Sequence, residues 1–295
     1  FVAANLVLWA GLAVWYAVQP PERQADVERL VRNAFDARKD VSAFDVVWDL
    51  WQLYARDDAV AAVAAGDRTH AYGGIPETGQ PVRLLANTGY LVGYSDTLGL
   101  PLWAAYRVAD RALGDAPPRP DAFAVDLRTS ARVDPADYTR SGFDRGHLAP
   151  SFAIALHHGR RAQEETFLMS NIVPQRHALN AGPWHALERR IAANFPARFG
   201  ESWVLAGPVV GERPSRLRGR VAVPEAFFMI IVDETEGRTR ALAFLFPQDA
   251  PEDASAAQYL TSIDDIERRT GLDVLRELED QAEEALEARR AARIW

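Results

Sequence analysis

A glycine–proline pair inside "SNIVPQRHALNAGPWHALERRI" restricts the fold more than any other feature of the chain. Proline has no N–H and a φ fixed near about −65°, so it belongs in the first turn of a helix and not in its interior. Pro183 therefore begins a helix, with Gly182 just before it, and Trp184, Leu187 and Ile191 fall on one apolar face. Glu188 lies on the polar side of the early turns, and Asn180 falls in the loop ahead of them. Eight unbroken helical residues would separate Asn180 from Glu188 by about 12 Å of rise. A helix that starts at the proline lets Asn180 fold back toward a shared ion, as a direct ligand, with Glu188 acting mainly through bound waters. A helix-flanking Asn and a solvated Glu fit the same spacing.

A second cluster lies upstream in "YTRSGFDRGHLAP". Asp144, Arg145, Gly146 and His147 put an acid, a guanidinium and an imidazole into four positions. Hydrolysis of a phosphodiester asks for such groups. Histidine titrates near neutrality and can deprotonate water. The planar fork of arginine matches phosphate oxygens. The leaving oxygen is commonly stabilised by a hard cation with oxygen ligands. The cluster thus offers His147 as a base and Arg145 as a phosphate clamp, with Gly146 allowing backbone curvature or close approach. Asp144 has the wrong sign to face a phosphate and is expected to orient Arg145 or tie down a strand end. Taken alone, a surface salt-bridge cluster explains the four residues equally well.

Composition sets the outer bounds. A chain of 295 residues that is 48% hydrophobic suffices for one large domain with appendages. The absence of cysteine excludes disulfides, thiolate chemistry and sulfur-ligated zinc. A net charge of −8 argues against general affinity for nucleic acid. Residues 121–220, however, hold 14 arginines against 10 Asp plus Glu, a net +4 that leaves −12 for the rest. A locally basic segment of this kind is compatible with phosphate handling.

Residues 1–18, "FVAANLVLWAGLAVWYAV", carry no charge. As a helix they would be about 27 Å long, close to a bilayer core, with Trp15 and Tyr16 at an interfacial position. The expectation is a transmembrane anchor over residues 1–19 in contact with the lipid bilayer. The protein would then be single-pass and membrane-anchored, its main domain extracytoplasmic. A buried core helix or a signal peptide are the other readings. Residues 20–69 show helical periodicity at Val27, Leu30, Val31 and Phe35, and a second helical run ends at Gly66. They read as a helical stalk, or as a helical addition packed on the main domain. From His70 onward, turn signals at Gly74, Gly89 and Gly99 separate runs that read as antiparallel strands. "EAFFMIIVDE" and "TRALAFLFP" read as strands joined by a hairpin at "ETEGR". Helix follows from Ser262, with residues 286–295 as the end of a charged amphipathic helix. The whole is an α+β domain over about residues 70–285. The helical segments leave room for a homodimer or for docking to a partner protein.

Together, "SGFDRGHLAP" and "MSNIVPQRHALNAGPWHALE" resemble the DNA/RNA non-specific endonuclease family. Asp144 to His147, Ser170 to Gln175, and Asn180 with Trp184, Leu187 and Glu188 match its motif order, and the similarity spans about residues 72–280. The resemblance implies a ββα-metal nuclease domain whose central antiparallel sheet is flanked by helices, preceded here by the transmembrane helix and stalk. It implies a sugar-non-specific endonuclease that hydrolyses DNA and RNA to products with a 5′-phosphate. In that reading His147 is the general base, Asn180 the direct ligand of a hydrated Mg²⁺ (Mn²⁺ as a substitute), Glu188 the holder of its waters, and Arg145 a transition-state arginine. A second such arginine lies upstream in the family; Arg128 is the expected residue, with Arg132 behind it. Arg132, Arg176 and His177 are expected to contact substrate, with His185 a further candidate. Asp144, Gly146, Asn171, Gln175 and Trp184 are expected to support the site. His157 and His158 read as a surface pair in a loop, and Arg213 to Arg220 as a solvated loop. The alternative functions are a membrane-associated nucleic-acid-binding or uptake module and an effector subunit of a larger assembly.

Overall fold

The computed structural model describes residues 2–52, 59–64, 66, 68–111 and 116–295, with the backbone alone for residues 2–8. The chain opens with helices α1 (Val2–Ala17), α2 (Pro21–Ala34) and α3 (Ala43–Gln52). Strands β1 (Glu77–Thr78), β2 (Arg83–Ala86), β3 (Tyr90–Ser95), β4 (Leu100–Ala109) and β5 (Asp144–His147) follow. Then come α4 (Ser151–Glu165), β6 (Ile172–Gln175), α5 (His177–Ala181) and α6 (Pro183–Phe199). The last third holds β7 (Glu201–Val209), β8 (Arg216–Leu217), β9 (Val221–Ala222), β10 (Ala226–Thr235), β11 (Arg238–Pro247), β12 (Leu260–Thr261), α7 (Ile263–Thr270), β13 (Leu272–Asp273) and α8 (Asp280–Glu287).

Seven strands form one sheet in the order β12-β11-β10-β7-β4-β3-β2, with every pairing antiparallel. Its central strands are apolar on both faces because both faces are covered, which is why "AFFMIIV" does not alternate with polar residues. Phe227 of β10 meets Trp184 of α6 at 5.8 Å between ring centroids. Ile230 and Val232 face the opposite side, toward Tyr72, Val274 and Leu275. The hairpin between β10 and β11 closes on Glu236 and Gly237, both at positive φ (53° and 71°). Such a two-residue turn matches the twist of the strands, and Thr235 pairs with Arg238 directly across it.

α6 is the central helix of the fold. Trp184, Leu187, Ile191 and Phe195 form its buried stripe against the sheet. Its far end receives α2 and α3, which pack against it instead of projecting away. Asn33 donates to the carbonyl of Ala197 (2.7 Å). The Arg198 guanidinium, 2% exposed, makes two 2.8 Å hydrogen bonds to the carboxylate of Asp49, with Asp45 3.5 Å away. Lys39, the sole lysine, is buried against Asn33 and Asp110. Part of the expected second helix, residues 53–58, lies outside the described residues. Beyond it Val60 is not helical; it bridges to Thr239.

Two expectations are overturned here. α1 has 16 residues, about 24 Å of helix, and among the described residues no helix is long and apolar enough to cross a membrane. The anchor over residues 1–19, its bilayer contact and the single-pass, extracytoplasmic placement fall with that finding. The physical reason lies at the end of α1. Pro21 starts α2 only four residues on. The amide of Gln24 donates to the carbonyls of Tyr16 and Gln19, so the chain folds back at once. The amphipathic helix expected to end over residues 286–295 instead stops at Glu287. The segment after it carries Trp295 onto Phe199 (5.8 Å) and under the guanidinium of Arg240 (4.1 Å).

The Arg198–Asp49 pair allows a direct check of how α3 is held. Asp49→Ala leaves a buried guanidinium with Asn194 Oδ1 and the more distant Asp45 carboxylate, and is expected to lower stability by about 3 kcal/mol in urea unfolding. Replacing both partners by Leu and Met should recover most of that loss.

Candidate active site

β5 and β6 form a two-stranded antiparallel ribbon, with Asp144 opposite Gln175 and His147 opposite Ile172. The ribbon needs a glycine at Gly146, because a Cβ there would lie 1.9 Å from Oε1 of the buried Gln175. The close approach expected at this glycine was that of a substrate; the Gln175 side chain takes that space instead. Asn171 locks the ribbon's far end. Its Oδ1 accepts from the Ala149 N–H, and its Nδ2 donates to the carbonyls of Ala149 and Thr166.

The chain leaves β6 into α5, breaks at Gly182 and restarts as α6. Gly182 has non-helical φ/ψ (−94°, −116°). A Cβ on it would come within 2.4 Å of the carbonyl oxygens of both Ala178 and Glu252, so no larger residue fits. Asn180 therefore sits in a five-residue helix of its own and not in a loop. The break brings Asn180 and Glu188 to one cleft, which Arg119, Arg145, Arg189, His147 and His185 also line.

Each group in the cleft is held by specific contacts. Asp144 does not touch Arg145. Its Oδ2 accepts from Nδ2 of Asn180 (3.0 Å) and from Nδ1 of His177 (2.8 Å). With its NH₂ engaged in this way, Asn180 leaves its amide oxygen for the cleft. The hydrogen bond from His177, and then the charge of Asp144, raise the His177 pKa. Arg145 donates through Nε and Nη2 to the Pro135 carbonyl and lies over the Phe123 ring at 5.6 Å. Trp184 does more than fill the core: its Nε1 donates to Oε1 of Glu188 (2.8 Å).

Two titrations are displaced. Burial, and then the charge of Arg119, push the His147 pKa down to about 3, so the ring is neutral at physiological pH. It lies in a slot between Phe123 (5.5 Å) and Phe167 (5.1 Å), with Nε2 shut off from solvent and from any hydrogen-bond partner. Burial pushes Glu188 up to about 8, against the opposing effects of Trp184 and Arg119. A carboxylate kept protonated by burial is one that a cation would ionise. With the amide oxygen of Asn180 it makes an oxygen-only donor set, which suits a hard, hydrated divalent ion.

Several expected residues lie elsewhere. Arg128 does not line the cleft: it is tied to Asp126, to the Ala86 carbonyl and to Asn87. Arg132 is exposed at positive φ (48°), and its carbonyl accepts from Arg220. The Arg176 guanidinium stacks over Phe143 at 5.3 Å. Sequence reasoning missed Arg119, which lines the cleft and lies 5.1 Å from the Phe167 ring centroid. Its only signal was a lone arginine between prolines in "APPRPDAF". His157 and His158 are not a loop pair. They lie on α4, where His157 is buried with Nε2 against the Ala192 carbonyl, and His158 reaches the Arg107 carbonyl. Arg216 and Arg220 belong to the small β8–β9 hairpin region, away from the cleft lining.

Known proteins are similar to this chain over most of its length. The chain is 30% identical over 218 residues to a nuclease of Nostoc sp., covering 70% of this chain and 78% of that one. It is 31% identical over 216 residues to human mitochondrial endonuclease G, covering 68% and 70%. The fold resembles a chain from the crystal structure of the EndoG/EndoGI complex, with a TM-score of 0.60 at 23% identity, covering 68% of this chain and 88% of that one. A sequence profile described as DNA/RNA non-specific endonuclease matches residues 67–281. The chain, by the extent of that match and by these relatives, belongs to the DNA/RNA non-specific endonuclease family.

Proposed function

We propose that the chain is a Mg²⁺-dependent, sugar-non-specific endonuclease that hydrolyses phosphodiester bonds of DNA and RNA in the cleft between the β5–β6 ribbon and α6. The observation that carries this reading is the convergence of a neutral, half-buried imidazole, three arginines, an amide oxygen and a half-buried carboxyl on one cleft. Asn180 and Glu188 would hold the ion, Glu188 through water, and Mn²⁺ would substitute. The bound ion would supply charge stabilisation for the leaving 3′ oxygen.

The chain's own groups do the rest. Nε2 of His147 is closed off, so Nδ1 is the nitrogen that takes a proton from water in the cleft. A phosphate beside Arg119 offsets that arginine's repulsion of the imidazolium, making the ring more basic as the proton arrives. Arg145 and Arg119 offer guanidinium N–H groups to the non-bridging oxygens, where charge builds up in the transition state. Asp144 acts as a positioning residue through Asn180, and Trp184 through Glu188. Contact through phosphates carries no base readout, so cleavage should be weakly sequence-dependent and inhibited by salt.

His147→Ala is expected to lower cleavage of plasmid DNA by about 10³-fold with an unchanged circular dichroism spectrum. Cleavage at the parental rate would sink the mechanism. Arg119 and Arg128 should behave differently. Arg119→Ala should cut kcat by about 10²-fold. Arg128→Ala should leave kcat near normal and lower stability by about 1 kcal/mol through its lost hydrogen bonds. The reverse pattern would restore Arg128 to the catalytic role.

Metal affinity should depend on pH through Glu188. Its raised pKa means that a proton competes with the ion below about 8. The half-saturating Mg²⁺ concentration should therefore fall up to about tenfold per unit as pH rises toward 8, then level off. Magnesium titrations of cleavage rate at several pH values give this directly. A flat response would remove Glu188 from the ion's surroundings.

A further inference from the structure

A group of acids lies outside the cleft. Asp264 and Glu267 are on α7, and Glu287 is the last residue of α8. One carboxylate oxygen from each lies within 4.8 Å of the other two. An ion about 2.4 Å from each ligand requires ligands no more than about 4.8 Å apart, so the spacing suits a single hard cation.

Glu287 gives the independent indication. It is only 9% exposed, and its Oε1 has no hydrogen-bond partner. The charged groups that act on it are Glu267, Glu283, Asp264 and Asp273, all of them acids. Glu267 is fixed in place by the Val274 N–H, which donates to its Oε1 (2.8 Å). Among the described residues no basic side chain pairs with the three; Arg268, the nearest in sequence, is paired with Asp265. A buried carboxylate facing other carboxylates is strongly unfavourable unless a proton or a cation intervenes.

We infer that Asp264, Glu267 and Glu287 form a binding site for one divalent cation of the calcium class, which clamps α8 onto α7. Calcium fits better than magnesium. It accepts several carboxylates in an irregular oxygen cage, whereas magnesium demands near-octahedral geometry and keeps most of its waters. The half-exposed Asp264 and Glu267 leave a side open for water to complete the shell. Glu287 lies beyond residues 67–281, so the site draws on chain that the family match does not include.

The test uses the full chain carrying Asn180→Ala, which removes the direct ligand proposed for the cleft ion. Calorimetric titration with CaCl₂ should show one bound equivalent. The melting temperature should rise by about 5 °C at a hundredfold excess over Kd. Magnesium should give a smaller shift. Adding Glu287→Gln should weaken calcium binding at least tenfold, and Asp264→Asn, a milder change at a partly exposed position, should do the same. In the otherwise unaltered chain, both substitutions should leave Mg²⁺-supported cleavage unchanged. No calcium binding would mean that protons alone settle the cluster, and would overturn the inference. Binding that survives Asp264→Asn would overturn it as well, and a magnesium shift equal to that of calcium would overturn the calcium assignment.

Discussion

Asn180 and Glu188 are eight residues apart, and on an unbroken helix eight residues rise about 12 Å. The structure removes that separation by breaking the helix once, at Gly182, and restarting it at Pro183. The break is held by packing. The Gly182 Cα stands where a Cβ would collide with two carbonyls, one from α5 and one from the distant Glu252. Much else follows from that corner. It aims the Asn180 amide at Asp144 on the ribbon, turns Glu188 toward the cleft, and sends Trp184 down between Phe227 and Phe246 of the sheet.

α6 then serves two parts of the molecule. Its first turns carry Glu188 into the cleft, and its last turns accept the N-terminal helices through Asn33 and Asp49. Both attachments bury polar groups with their partners satisfied, which costs little once formed and much when one partner is removed. The same logic separates the two perturbed carboxyls. Glu188 accepts a hydrogen bond from Trp184 in a cleft with Arg119 nearby. Glu287 has no such bond at Oε1 and only acids around it.

Much of the site was legible in the sequence because its parts are local. The helix start at Pro183, the pairing of Asn180 with Glu188 and the His147–Arg145 cluster are short-range patterns, and the ribbon and helix bring them together. Arg119 was not legible, because it reaches the cleft from a proline-rich loop with no chemical neighbours in sequence. Arg128 was expected only as a match to the family's upstream arginine; Asp126, two residues away, holds it. Of the two roles expected for Asp144, orienting Arg145 is absent because adjacent strand residues point to opposite faces, and its contacts with α5 tie down the strand end instead. The N-terminal segment misled for a different reason. Absence of charge over residues 1–18 matched a bilayer helix, whereas the described helix has 16 residues and its end is tied to α2 through Gln24.

The corner at Gly182 also sets where this chain can change length. Each helical residue turns a side chain by about 100°, so one residue inserted between Trp184 and Glu188 would swing either the carboxyl out of the cleft or the Trp184 ring out of the sheet. Insertions at the exposed Glu212–Arg213 turn, or at the Glu236–Gly237 hairpin, rotate no residue of the cleft. Length variation can therefore accumulate around the rim of the sheet, whereas the stretch from Asn180 to Glu188 must keep its residue count.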